Sequence, residues 1–224
     1  MRPEISSALS PASQALLQRV AARPWAADVY LAGSAALTLY LGHRPVRDVD
    51  LMTHTNRLAP QERRDLLADL VALDAGLRVE TARDGYLFAR STDGVAVKLF
   101  YYPYPLVEPE EESAGLRVAS ATDLGLMKLA ALISRGDKRD FVDLYLLTRR
   151  LPLAGLLERA GEKFGHVGDF ALQALKALAD VAAADQEPMP RLARPLDWEE
   201  VRAWAQAEAR DLGRRHVGLE GPRP

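Results

Sequence analysis

Residues 31–51 read LAGSAALTLYLGHRPVRDVDL, and the fold turns on how this stretch is divided. The apolar run Asp28–Ala32 is rich in strand formers and stops at Gly33-Ser34. Ala35 to Leu41 then reads as a helix. His43-Arg44-Pro45-Val46-Arg47 reads as a loop, because Pro45 disfavours helical geometry at the residue before it. Asp48-Val49-Asp50-Leu51-Met52 alternates acidic and apolar residues, the period-2 pattern of a half-buried strand. A strand, a helix and a second strand are thus compressed into 25 positions or so, an estimate that follows from ordinary element and loop lengths.

Upstream, Ser13 to Arg23 repeats apolar residues at helical spacing and stops before Pro24. Downstream, Pro60 to Leu73 predicts a helix, with proline at its start, Glu62 in its first turn and a stripe of leucines. Three strand-like runs follow, Leu77–Ala82, Tyr86–Ser91 and Val95–Tyr102. The turn signals Asp84-Gly85 and Asp93-Gly94 separate them, so they read as an antiparallel meander. The prolines and acidic run of residues 103–112 mark a boundary. Beyond it the chain predicts helices over about 121–134, 140–150, 153–164, 168–184 and 197–213. The expected fold is α+β, with a mixed sheet flanked by helices over residues 1–112 and a helical bundle over 113–224 that closes over the cleft.

The chemistry concentrates in the same opening stretch. Residues i and i+2 of a strand share a face, so Asp48 and Asp50 project side by side, about 6–7 Å apart along the chain. Two such carboxylates repel unless a positive charge lies between them. Mg²⁺ takes one or two carboxylates together with substrate phosphates. Gly33 permits close backbone approach, and Ser34 opens a helix whose N–H groups suit a phosphate. Phosphate cradle and metal carboxylates therefore come from adjacent elements.

The composition removes competing chemistries. The 224 residues include no cysteine, which excludes disulfides, thiol nucleophiles and cysteine-based zinc sites. Four histidines, none at HxH or HxxxH spacing, argue against a histidine metal cluster. A formal net charge of -2 excludes a generally basic nucleic-acid coat. The N-terminus has no apolar core of a signal peptide, and Val29 to Gly42 is shorter than the roughly 18 residues of a membrane span, so the expectation is a cytoplasmic protein without a membrane partner.

The stretch LAGSAALTLYLGHRPVRDVDL resembles the N-terminal motif of the DNA polymerase β-type nucleotidyltransferase superfamily. In particular it resembles the branch of the AbiEii/AbiGii toxins, where a glycine-rich helix start precedes HR-x-x-x-D-x-D. A second block, DLGLMKLAALISRGDKRDFVDLYLL (residues 123–147), is similar to that branch's downstream D-L-x-x-M-K-L…R…R-D-x-x-D-L block. The resemblance implies a polymerase β-type core that moves a nucleoside monophosphate from an NTP to a hydroxyl acceptor. The acceptor would be an RNA 3′ end such as that of tRNA, or a protein. It also implies Mg²⁺ or Mn²⁺ as cofactor and a cognate antitoxin as partner. Asp48 and Asp50 would hold the metal, Gly33 and Ser34 the triphosphate, and Lys128 would neutralise phosphate charge. Asp140 or Asp143 would complete the site. Arg44 and Arg47, which flank the acidic pair, can steer phosphate.

The chain also departs from that pattern. Polymerase-type enzymes carry a third metal carboxylate on a later central strand, and the matching run, Val95-Ala-Val-Lys-Leu-Phe, offers Lys98 and no acid. Val46 stands where the toxin branch often has Ser or Thr. The alternative is a catalytically degenerate nucleotide-binding module, with Lys98 quenching the acidic pair. A kinase of the related aminoglycoside type is a third reading. Plainer roles also fit individual residues: Ser34 and Asp140 as helix caps, Asp143 as a first-turn acid, and Lys128 with its stem on a core face.

Overall fold

The computed structural model describes residues 2–3, 9–113 and 115–218. The chain divides into two compact units, Met1–Ala121 and Thr122–Pro224. The first opens with α1 (Pro11–Ala21), which starts two residues before the Ser13 expected from periodicity. The Ser10 hydroxyl accepts a hydrogen bond from the Ser13 amide at 3.1 Å and Pro11 takes the first helical position, so the cap sets the start. A 3₁₀ turn over Pro24–Asp28 leads into β1 (Tyr30–Ala32). Next come α2 (Gly33–Leu41), β2 (Val49–Thr53) and α3 (Glu62–Leu73). The meander follows as β3 (Arg78–Arg83), β4 (Tyr86–Arg90) and β5 (Ala96–Tyr101).

From the acidic end of the boundary segment onward come two more strands, β6 (Glu111–Ser113) and β7 (Leu116–Val118). They complete one seven-stranded sheet in the order β3-β4-β5-β2-β1-β7-β6. Its pairs are mixed: β1 runs antiparallel to β2 and parallel to β7, while β2 runs parallel to β5. Residues 113–121, expected with the helical half, thus belong to the sheet unit. The reason lies in length. Each of the two strands has three residues, too few to display a period, and a short edge strand such as β6 tolerates the acidic Glu111-Glu112.

Burial follows the pleat. Along β2 the pattern alternates, with Val49, Leu51 and Thr53 buried and Asp50 and Met52 half-buried. On β4, Leu87 and Ala89 are buried while Tyr86 and Phe88 are half-exposed. Leu31, Leu37, Leu51 and Leu87 are almost wholly removed from water, and each contributes about 1.5–3 kcal/mol of transfer free energy. The core therefore lies on one face of the central strands, and the charged residues of β2 and β5 lie on the other.

The second unit is helical. It contains α4 (Ala121–Ser134), α5 (Lys138–Thr148), α6 (Leu153–Phe164), α7 (Phe170–Ala179), α8 (Ala182–Asp185) and α9 (Trp198–His216). The single helix expected over 168–184 is broken. Asp180 is extended and ends α7, and its carboxylate accepts from the Ala182 amide at 3.2 Å. Gly125 lets α4 pack closely: a Cβ there would lie 2.8 Å from a Leu156 methyl and 3.1 Å from one of Leu147. On α5 and α9, Phe141 meets Trp198 edge to face and Tyr145 meets Trp204 likewise. Among the described residues no helix is long and apolar enough to cross a membrane.

Candidate active site

Three central strands and one helix start build the site in the sheet unit. The antiparallel register of β1 and β2 sets Ala32 opposite Asp50, so the Asp50 side chain arrives where β1 ends and α2 begins. Gly33 occupies that junction with φ +61, and a Cβ there would stand 2.3 Å from Asp50 Oδ2. Only glycine fits both the left-handed backbone and the neighbouring carboxylate. No side chain caps the start of α2 at Ala32.

Asp48 lies just before β2 and its side chain is 54% exposed, whereas that of Asp50 is 22% exposed. They do converge as their spacing predicts. Both face one cation: Lys98 Nζ lies 3.8 Å from Asp48 Oδ2 and 3.6 Å from Asp50 Oδ1. The parallel pairing of β2 and β5 sets Asp50 beside Lys98, which explains why a residue nearly fifty positions away reaches the pair. Among the described residues no group of three or more His, Cys, Asp or Glu side chains could hold a metal ion. Two carboxylates are the acidic donor set here.

The two arginines of the loop behave differently. Arg44 is buried, and its Nη2 donates to Ser34 Oγ at 2.6 Å, which brings a guanidinium to the start of α2. Thr38 Oγ1 donates to the Arg44 carbonyl at 2.8 Å and ties the loop back onto the helix it follows. Arg47 is exposed, and its Nη2 donates to the Asp93 carbonyl in the β4–β5 turn. The structure therefore gathers Gly33, Ser34, Arg44, Asp48 and Asp50 with Lys98, and sets the Arg47 guanidinium on a neighbouring turn. His54, near the motif in sequence, stacks its ring on Tyr30 with centroids 5.1 Å apart.

Gly33→Ala is the sharpest local test of this geometry. Alanine in a left-handed conformation costs about 1–2 kcal/mol, and the added methyl must also push the Asp50 carboxylate aside. Thermal unfolding is expected to report that modest loss, while nucleotide affinity falls far more than the stability change explains. Unchanged nucleotide affinity would place the phosphate elsewhere.

The remaining sequence candidates meet within the helical unit. Lys128 of α4 bridges two carboxylates of α5, at 2.9 Å from Asp140 Oδ1 and 2.7 Å from Asp143 Oδ2. Both acids are wholly buried. Arg135 adds a forked contact to Asp140, from Nε at 2.7 Å and Nη2 at 2.9 Å. Burial alone raises the Asp140 carboxyl, but the Arg135 hydrogen bond and the Lys128 ammonium outweigh it and hold the group below the usual carboxylate range. The α5 helix carries no side-chain cap at Asp137, so Asp140 works through the cations rather than as the cap.

A further buried pair escaped the sequence reading. Lys163 Nζ of α6 lies 2.8 Å from Asp123 Oδ1 of α4, both side chains wholly buried. Burial pushes the Lys163 ammonium down, partly offset by the hydrogen bond and charge of Asp123. The signal was present: Leu153, Leu156, Ala160 and Lys163 continue one buried stripe of α6 at helical spacing.

Comparison with known proteins gives the family and the fold. The family model of the nucleotidyl transferase AbiEii toxin, type IV toxin–antitoxin system, matches residues 15–206. The uncharacterized protein aq_aa25 of Aquifex aeolicus is 30% identical over 191 residues, spanning 82% of this chain and 87% of that protein. Two crystal structures share the fold. One is a nucleotidyltransferase candidate from H. pylori, with a TM-score of 0.55 at 17% identity, covering 95% of this chain and all of that one. The other is JHP933 from Helicobacter pylori, with a TM-score of 0.52 at 18% identity, covering 94% and 97%. With the family model matching residues 15–206, this chain belongs to the AbiEii nucleotidyltransferase toxins of type IV toxin–antitoxin systems.

Proposed function

We propose that the chain moves a nucleoside monophosphate from an NTP to a hydroxyl acceptor, with Mg²⁺ or Mn²⁺ held by Asp48 and Asp50. The observation that carries this reading is the convergence of both carboxylates on one positive charge beside the glycine start of α2. The donor set fits such an ion: hard oxygens, two carboxylates, and an adjacent backbone kept bare of Cβ. When bound, the metal neutralises phosphate oxygens and lowers the charge that resists attack at phosphorus.

This chain's own residues supply placement. The opening N–H groups of α2 and the Ser34 hydroxyl, held by Arg44, receive the triphosphate oxygens. The acceptor oxygen then forms a bond to the α-phosphorus and the bond to the bridging oxygen breaks. Pyrophosphate leaves and the hydroxyl proton passes to solvent. Little covalent chemistry falls to the protein, so positioning and charge account for most of the rate. In the helical unit Lys128 is sealed between Asp140 and Asp143, so the reading gives these three an internal ion cluster instead of the phosphate contact. Arg47 is assigned to the loop. This reading takes an RNA 3′ end such as that of tRNA, or a protein hydroxyl, as acceptor, and the toxin–antitoxin family supports an antitoxin as partner.

The test is incubation of the full chain with Mg²⁺, each α-labelled NTP and total RNA. Label is expected on RNA or on protein, with pyrophosphate released. Release of a nucleoside diphosphate instead would reassign the chain to the kinases. Nucleotide binding with no label on any acceptor would favour the degenerate module.

A further inference from the structure

Lys98 is the odd member of a site built on two carboxylates. Its position is fixed by strand register, since β5 runs parallel to β2 and sets Lys98 beside Asp50. Its ammonium is not fixed in the same way. The separations of 3.6 Å to Asp50 and 3.8 Å to Asp48 exceed the 2.7–2.9 Å typical of a close charge-assisted hydrogen bond, and the side chain is 29% exposed. Lys128 shows the contrast within the same chain, with 2.7 and 2.9 Å contacts to two acids sealed from water. Lys128 is clamped; Lys98 is a loose counter-ion on a flexible four-carbon stem.

A hard dication cannot share those oxygens with an ammonium at the same time. Like charges about 4 Å apart repel by several kcal/mol at the effective dielectric of a protein surface. The Lys98 ammonium must therefore withdraw before a metal ion settles on Asp48 and Asp50. We infer that Lys98 is a tethered counter-ion that competes with a divalent cation for Asp48 and Asp50, holding down the affinity of the pair for metal alone. This rests on the proposed reading that the acidic pair is a metal site. It adds that a lysine, standing beside the pair on β5, sets how readily the site fills. The displaced ammonium remains beside the site, where an incoming triphosphate offers it a new anionic partner.

The experiment titrates the full chain with Mn²⁺ alone, without nucleotide, and follows free Mn²⁺ by electron paramagnetic resonance. Lys98→Met keeps the stem and removes the charge; Lys98→Gln removes the charge and keeps a polar end. Circular dichroism melts confirm that each is folded. Both variants are expected to bind Mn²⁺ about tenfold more tightly than the parent, a conservative figure for losing a competing charge at this range. Asp50→Asn is expected to bind more weakly than the parent. Should both Lys98 variants bind Mn²⁺ as the parent does, or less tightly, while Asp50→Asn still weakens binding, the competition is overturned and the metal site stands. Should all four proteins bind alike, the acidic pair holds no cation, and the inference falls together with the reading beneath it.

Discussion

Asp48→Ala is expected to lower nucleotidyl transfer by about 10²–10³-fold, the range seen when one preorganised electrostatic group is removed from a transition state. The thermal midpoint should barely move. Asp48 is more than half exposed, and its ion pair with Lys98 is long, so the pair contributes about 0–1 kcal/mol to stability at most. A large kinetic loss without a structural one is the signature of a carboxylate kept for chemistry. The same variant also separates the competing readings. Full activity in Asp48→Ala would refute the site, whereas a parent protein that binds nucleotide yet transfers nothing would mark a fold that has lost turnover. The assay is initial rate of label transfer under saturating Mg²⁺, set against circular dichroism melts of the same preparations.

Lys163→Met should have the largest effect on stability. Asp123 and Lys163 are both sealed from water and 2.8 Å apart. Removing one partner takes the 2.8 Å counter-ion from the other buried charge, at a cost of about 3–5 kcal/mol. That is a large share of the roughly 5–15 kcal/mol that holds a typical domain together. Replacing both members, as Asp123→Leu with Lys163→Met, removes both buried charges and is expected to recover most of the loss. Urea unfolding of the parent, the single variant and the double variant gives the comparison. A single variant as stable as the parent would mean that Asp123 finds compensation elsewhere on α4 or α6.

The parts of the molecule that were legible in the sequence share a property: their local pattern and their long-range packing agree. The run Val49 to Thr53 alternates because one face of β2 is buried and the other half-buried, so the period is visible in five residues. Gly33 was legible because a glycine between an apolar strand and a helix has few other uses. The misses are places where structure depends on partners distant in the chain. Strands β6 and β7 are three residues each and exist because β1 offers β7 an open edge, which no local pattern announces. The break between α7 and α8 falls at the extended Asp180, whose side chain accepts from the Ala182 amide. Arg47 read as a phosphate guide by proximity to the acidic pair, but its guanidinium meets the Asp93 carbonyl, 46 positions away. Arg135 stood in plain view within the second block, yet its fork onto Asp140 appears only when α4 and α5 are brought side by side.

The neighbour relation between β1 and β7 also bears on how the chain is made. Val118 pairs with Leu31, so one flank of β1 stays uncovered until synthesis has passed both. Non-local pairings of this kind form slowly, since a long loop must close before any contact rewards it. A nascent chain stalled before residue 116 would carry the glycine bend and both acids of the motif on a sheet with an unsealed border, prone to seize another strand. For a protein of a toxin family, the sheet that carries the motif is thus complete only after β7 has docked beside β1.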